Sequence, residues 1–175
     1  AYSFTKRFTA WAHGWLGTSL MLAPISTWIA LRGEQVWAQP SDILPALVLG
    51  IAVLCWVSGF DIIYACLDVE FDKQYGLHSA PSRLGVSTAL RVAAGCHLGM
   101  ILALASLPWV PVWTAQPLDL NWIYGTGVGM VAILLLYEHA LVRPGDLGRV
   151  NVAFFHVNSV VSMGVFAFVT LDLVT

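Results

Sequence analysis

Charge is scarce in this chain. Lysine and arginine number 8 and aspartate and glutamate 10, so that charged residues fill only 10% of 175 positions, against about 25% in an ordinary soluble domain. With a net charge of −2 and no basic run, the sequence has no electrostatic footprint for nucleic acid, and none is expected as a partner. Its 3 cysteines, Cys55, Cys66 and Cys96, form no C-x-x-C pair. They read as small packing residues rather than as ligands or a disulfide scaffold. His13, His97 and His156 share no ligand spacing with cysteine or with one another, which speaks against a zinc site. An internal repeat, a low-complexity tract and a separate soluble domain are also lacking. The chain opens on Ala1, without a methionine or a basic-then-apolar leader, and is therefore expected to be a piece of something longer.

What fills the sequence is apolar. Hydrophobic residues make up 58%, and the mean hydropathy is +0.77. Five stretches, roughly 8–31, 43–64, 84–107, 120–141 and 152–171, are long enough to cross a bilayer, which takes about 20 residues. The expected fold is all-α: one polytopic transmembrane helical bundle over residues 1–175. Pro24 and Pro45 should kink or cap their helices. The connectors are expected at Arg32-Gly33-Glu34, at the aspartate loop, at 108–117 and at Arg143-Pro144-Gly145-Asp146. Gly125, Gly127 and Gly129 read as helix-packing positions. The 8 tryptophans and 5 tyrosines suit interfacial belts, and the 108–117 loop, with Trp109 and Trp113, reads as an interfacial anchor. Lys6, Arg7, Lys73, Arg83, Arg91, Arg143 and Arg149 fall on one side of the spans and Arg32 alone on the other. The positive-inside rule places that basic side, with the aspartate loop, in the cytoplasm and Thr175 on the far side.

Four of the ten acids fall in one stretch, DIIYACLDVEFDKQYGLHSAPSRLG, from Asp61 to Gly85. If the segment is helical, Asp68 lies about 20° behind Asp61 and Asp72 about 20° ahead of it, so the three carboxylates share a face. Asp68 and Asp72, one turn and about 6 Å apart along the axis, repel each other unless a cation sits between them. Hard oxygen ligands in small number suit Mg²⁺, which keeps waters and shares its shell with substrate phosphate. Asp61 continues an apolar run, where an ionisable residue is expensive and usually functional; a buried hydrogen-bond acceptor is its other reading. Tyr64 reads either as a hydrogen-bond donor to a phosphate or an acid, or as an ordinary interfacial tyrosine. Glu138-His139 reads as an interfacial pair, with a polar contact in a cavity as the alternative, and Asn158 must satisfy its amide inside the bundle.

The order Asp61, Tyr64, Ala65, Asp68, Asp72, Gly76, Ser79 fits D-x-x-Y-A-x-x-D-x-x-x-D-x-x-x-G-x-x-S. It resembles the second aspartate-rich motif of the UbiA superfamily of intramembrane aromatic prenyltransferases. Tyr2 to Thr9, with its Y-x-x-x-K-R start, and Tyr137 to Asn158, YEHALVRPGDLGRVNVAFFHVN, are similar to segments of the 4-hydroxybenzoate polyprenyltransferase branch. The branch that prenylates a naphthoate in menaquinone synthesis is similar as well. The resemblance implies transfer of a polyprenyl group from a polyprenyl diphosphate to a 4-hydroxybenzoate-like aromatic acid in ubiquinone or menaquinone biosynthesis, in the bacterial inner membrane. Mg²⁺ is the implied cofactor. It marks Asp61, Asp68, Asp72 and Tyr64 as catalytic, with the three aspartates as metal ligands, and Lys6, Tyr2, Lys73 and Arg83 as diphosphate-binding.

The chain departs from the family in one respect. Its first motif, N-D-x-x-D-x-x-x-D, is not in the sequence, and the five spans correspond to the last five of nine. The expected partners are therefore the lipid bilayer, the two substrates and the missing amino-terminal spans, whether from the same protein or from a partner chain. As it stands, residues 1–175 are expected to be inactive alone. A non-catalytic membrane subunit of this fold, packed in a larger assembly and binding quinone or lipid, is the alternative.

Overall fold

The computed structural model describes residues 2–113 and 119–175. A 3-10 segment, Tyr2–Arg7, leads into α1 (Ala12–Ala38) and α2 (Leu44–Ala65). Two short helices, α3 (Val69–Gln74) and α4 (Ala80–Leu84), precede α5 (Val86–Ser106), α6 (Trp122–Leu141) and α7 (Asn158–Val174). Among the described residues there is no strand, only an isolated bridge between Arg143 and Asp146 in the last loop. Five helical segments are long and apolar enough to cross a bilayer, and the protein is an integral membrane protein.

Helix α2 is the centre of the bundle, with α1 on one side and α5 on the other, and α6 pairs with α7. Glycine sets the closeness at each of these contacts. A Cβ on Gly17 of α1 would stand 2.6 Å from Leu54 O of α2, and one on Gly59 of α2 would stand 2.3 Å from the His97 ring of α5. A Cβ on Gly127 of α6 would stand 2.6 Å from Phe168 of α7. Backbones can approach this far only where no side chain intervenes, which is the common solution where lipid removes the hydrophobic incentive to associate. Gly125 and Gly129 have no neighbour within 4 Å at that position, so of the three candidate packing glycines only Gly127 packs.

The span boundaries agree with the sequence to within a few residues, except around Arg32. The expected connector at Arg32-Gly33-Glu34 lies inside α1, where Arg32 alone takes non-helical angles (φ −131°, ψ 23°). The chain turns later, through a 3-10 segment at Pro40–Ile43. The reason is a clamp: Arg32 Nε and an η-nitrogen donate to the two oxygens of Asp42 at 2.9 and 2.8 Å. Trp28 Nε1 donates to Asp42 as well, at 3.1 Å, so the kinked end of α1 is stitched to the start of α2. Pro24 lies within α1 and Pro45 in the first turn of α2, where its missing N–H is harmless.

The far end of the bundle is closed in the same manner. Asp172 of α7 accepts the backbone N–H groups of Asn121 and Tyr124 at 2.6 and 3.1 Å, capping the start of α6. Trp109 is exposed in the 3-10 segment Leu107–Trp113; the Trp113 side chain and residues 114–117 of the expected anchor lie outside the described residues.

Candidate functional site

The site lies at the opposite end, where α2 finishes and the segment before α1 folds back. Helix α2 does not run on through the aspartates. A 3-10 turn at Cys66–Asp68 intervenes, and Asp68 sits between it and α3 with φ −98° and ψ 8°. The 3-10 geometry advances each residue by about 120° rather than 100°, so the three carboxylates spread wider around the axis than on an unbroken helix. Asp61 is partly buried, Asp68 exposed and Asp72 buried. The chain then turns at Gly76, whose φ of +64° is one that side chains rarely adopt. Ser79 opens α4 with a capping box: its hydroxyl accepts the Ser82 N–H while the Ser82 hydroxyl accepts its own.

Each aspartate has a different environment. Asp61 Oδ2 is 2.6 Å from His13 Nδ1. Asp72 is 2% exposed, its Oδ2 has no hydrogen-bond partner, and the Lys6 ammonium stands 3.8 Å away. Asp68 has no ion pair or hydrogen bond among the described residues. Lys6 is held to the loop through its backbone too, its carbonyl accepting the His78 N–H at 2.6 Å. The fold thus forms two pairs, Asp61 with His13 and Asp72 with Lys6, the 78–80 segment touching both through the Lys6 carbonyl and the His13 ring. Lys73 and Arg83 are placed in the same loop but on its exposed side, where Lys73 meets Glu70 at 3.6 Å and Arg83 meets His78 Nε2 at 2.9 Å. The Tyr2 side chain lies outside the described residues.

Aromatic rings line the inner side of the site. The Tyr64 ring lies 4.3 Å from that of Phe154, which touches Phe60 edge-on at 5.4 Å. Phe154 and Phe155 come from a π-helical turn, Val152–Val157, that precedes α7, a distortion often found beside functional sites. The Tyr64 hydroxyl makes no hydrogen bond among the described residues. Deeper in the bundle, Asn158 accepts from Trp56 Nε1 at 2.8 Å and donates to Phe154 O at 2.9 Å, tying α2 to α7. Glu138 is fully buried, with Asn158 Nδ2 at 3.5 Å and His97 Nδ1 at 3.6 Å. The interfacial reading of Glu138 is therefore incorrect: helix α6 turns it into the bundle, and His139 follows it, reaching His97 at 3.0 Å. Beside Trp56, an apolar groove of about 400 Å³ runs between α2, α5 and α7, past Ala52, Met100, Val161 and Phe166.

Sequence reasoning missed His13 as part of the site. Its signal was available in part, since a histidine opening an apolar helix is costly unless it is used. Its partner 48 positions away could not be read from spacing. Among the described residues, no three His, Cys, Asp or Glu side chains converge closely enough to hold a metal by themselves.

The family model described as the UbiA prenyltransferase family matches residues 1–160. The chain belongs to the UbiA prenyltransferase family. It is 27% identical over 158 residues to a 4-hydroxybenzoate octaprenyltransferase of Methylobacillus flagellatus, covering 90% of this chain and 48% of that one. It is 34% identical over 90 residues to the mitochondrial 4-hydroxybenzoate polyprenyltransferase of Arabidopsis thaliana, covering 51% of this chain and 21% of the relative. The apo structure of a UbiA homolog from Aeropyrum pernix K1 superimposes with a TM-score of 0.80 at 26% identity, over 98% of this chain and 59% of that one. The chain thus spans about half the length of the bacterial relatives it matches. Within the matched region, Asp61–Ser79 runs from the last turns of α2 into the loop packed beside the start of α1.

Proposed function

We propose that the complete UbiA protein transfers a polyprenyl group from a polyprenyl diphosphate to an aromatic acid of the 4-hydroxybenzoate type, in quinone biosynthesis. The observation that carries the reading is Asp72: a buried carboxylate with an unpartnered oxygen and a lysine ammonium nearby. Burying an acid without a hydrogen bond is costly, and a cation taking that oxygen relieves the cost. The relatives' names supply the substrate class.

The hard oxygens of Asp61, Asp68 and Asp72 suit Mg²⁺, each as a contributor to a partial shell rather than as one closed site, since no three such side chains converge among the described residues. A second acidic motif, which the family resemblance puts in the first four spans of the fold, would complete it. When bound, Mg²⁺ offsets the charge that develops on a departing diphosphate. Lys6 and the exposed Lys73 and Arg83 neutralise phosphate oxygens directly. Phe60, Tyr64 and Phe154 keep water from the allylic carbon and turn ring faces toward its developing positive charge. The apolar groove between α2, α5 and α7 suits the isoprenoid chain. The side on which the basic residues fall supports a cytoplasmic orientation for this end, and the bacterial relatives support an inner membrane.

The test uses full-length protein in lipid vesicles, given Mg²⁺, a polyprenyl diphosphate and a panel of aromatic acids, with products read by mass spectrometry. Prenylated 4-hydroxybenzoate, lost on chelation with EDTA, is the expected result. No prenylated product from any acid overturns the proposal. Residues 1–175 expressed alone should give none. A cysteine placed at Lys73 should react with an impermeant reagent only once the membrane is opened.

A further inference from the structure

His13 is a buried polar group at this end to which the proposed chemistry assigns no task. It lies in the first turn of α1, 2% exposed, and both ring nitrogens are engaged. Nε2 accepts the Ala80 backbone N–H at 3.2 Å, while Nδ1 faces Asp61 Oδ2 at 2.6 Å. A backbone amide only donates, so Nε2 bears no hydrogen, and the ring hydrogen on Nδ1 donates to Asp61. The backbone of His13 is held as well, its carbonyl accepting from the Ser58 hydroxyl at 3.3 Å.

Two consequences follow from this arrangement. Only Oδ2 of Asp61 is taken up by a hydrogen bond among the described residues; Oδ1 is left for another donor or a cation. Ala80, at the first position of α4, has one of the amides that a helix start leaves without a partner, and a side chain from a different helix satisfies it. One imidazole therefore joins three segments: the start of α1, the end of α2 and the start of the helix that ends the aspartate loop.

We propose that His13 is a positioning residue, fixing the Asp61 carboxylate for a divalent cation. The inference rests on the reading of Asp61 and Asp72 as cation ligands. An immobilised carboxylate binds a cation without first losing rotational freedom, which is how hydrogen-bonded outer partners raise metal affinity at other sites.

The test measures Mn²⁺ binding, with inorganic diphosphate present and no turnover, by electron paramagnetic resonance of full-length protein in lipid nanodiscs. His13→Leu should weaken Mn²⁺ binding about tenfold or more. His13→Gln, whose amide keeps one donor beside one acceptor, should stay within about threefold of wild type. In an Asp61→Asn background, His13→Leu should cost nothing further, because its effect runs through Asp61. Unchanged Mn²⁺ binding in His13→Leu, or an equal loss with and without the Asp61 carboxylate, overturns the proposal. If Asp72→Asn loses binding in the same series, the cation reading stands while the role of His13 falls. A wild-type protein that holds no Mn²⁺ removes both. Should the leucine variant fail to fold, the same cycle is run with His13→Asn, which is too short to reach both partners.

Discussion

The two ends of the bundle both bury acids, and they treat them differently. At the far end Asp42 is filled on both oxygens by Arg32 and again by Trp28, and Asp172 is filled by two backbone amides at the start of α6. At the near end Asp72 is as deeply buried, yet one of its oxygens has no hydrogen-bond partner, and Asp68 points into the open. A saturated carboxylate stitches helices together and has nothing left for a ligand. An unsaturated one costs free energy until something positive arrives, and proteins keep such groups chiefly where binding or catalysis uses them. The contrast is the structural ground for proposing a ligand role for Asp72, and Glu138, whose Oε2 also lacks a hydrogen bond, shares that feature deeper in the bundle.

Breaking the contrast at the near end should have the largest effect. Asp72→Asn in full-length protein should lower prenyl transfer by about a hundredfold or more, with a smaller effect on thermal unfolding, because the altered oxygen makes no hydrogen bond and only a long ion pair with Lys6 at 3.8 Å. Turnover near wild type at saturating Mg²⁺ would place Asp72 outside the cation shell. The reverse pattern is expected at the far end. Asp42→Asn should lower the thermal midpoint by several degrees, read by fluorescence-detected unfolding, while turnover below that midpoint stays within about threefold of wild type. A severe loss of turnover without a loss of stability would undo the distinction between the two ends.

A smaller effect is expected between the ends. Gly59→Ala puts a Cβ 2.3 Å from the His97 ring and 3.2 Å from Ala93 O. It should push α5 from α2 and cost about 1–3 kcal/mol of stability, measured by unfolding in mixed micelles. The smallest change is expected on the surface. Glu70 is 91% exposed in its pair with Lys73, so Glu70→Ala should leave stability within about 1 kcal/mol. It should also leave the KM for the prenyl diphosphate unchanged or lower, because the lysine is freed.

Much of this was legible from local pattern. Bilayer spans are read from composition over about 20 residues, and four of the five expected stretches match their helices closely. The fifth, at α1, ran past its expected end because Arg32 looked like a connector residue until Asp42 was seen to hold it. Asn158 was expected inside the bundle on the ground that an amide in an apolar helix needs a partner, and Trp56 is that partner. Glu138 was misplaced because its neighbours in sequence do not reveal which face of α6 meets α5 and α7.

The sequence by itself determined the membrane class, the five spans, the family resemblance and the stretch where the acids lie, because hydropathy and motif order are properties of neighbouring residues. Only the tertiary structure decided how those acids differ. Helix α2 is interrupted at Cys66–Asp68, where Asp68 is exposed, the fold-back of Tyr2–Arg7 brings Lys6 to Asp72, and the packing of α1 on α2 places His13 against Asp61. Each depends on contacts between residues far apart in the chain, and whether a buried carboxylate is satisfied or left open is settled by what packs against it.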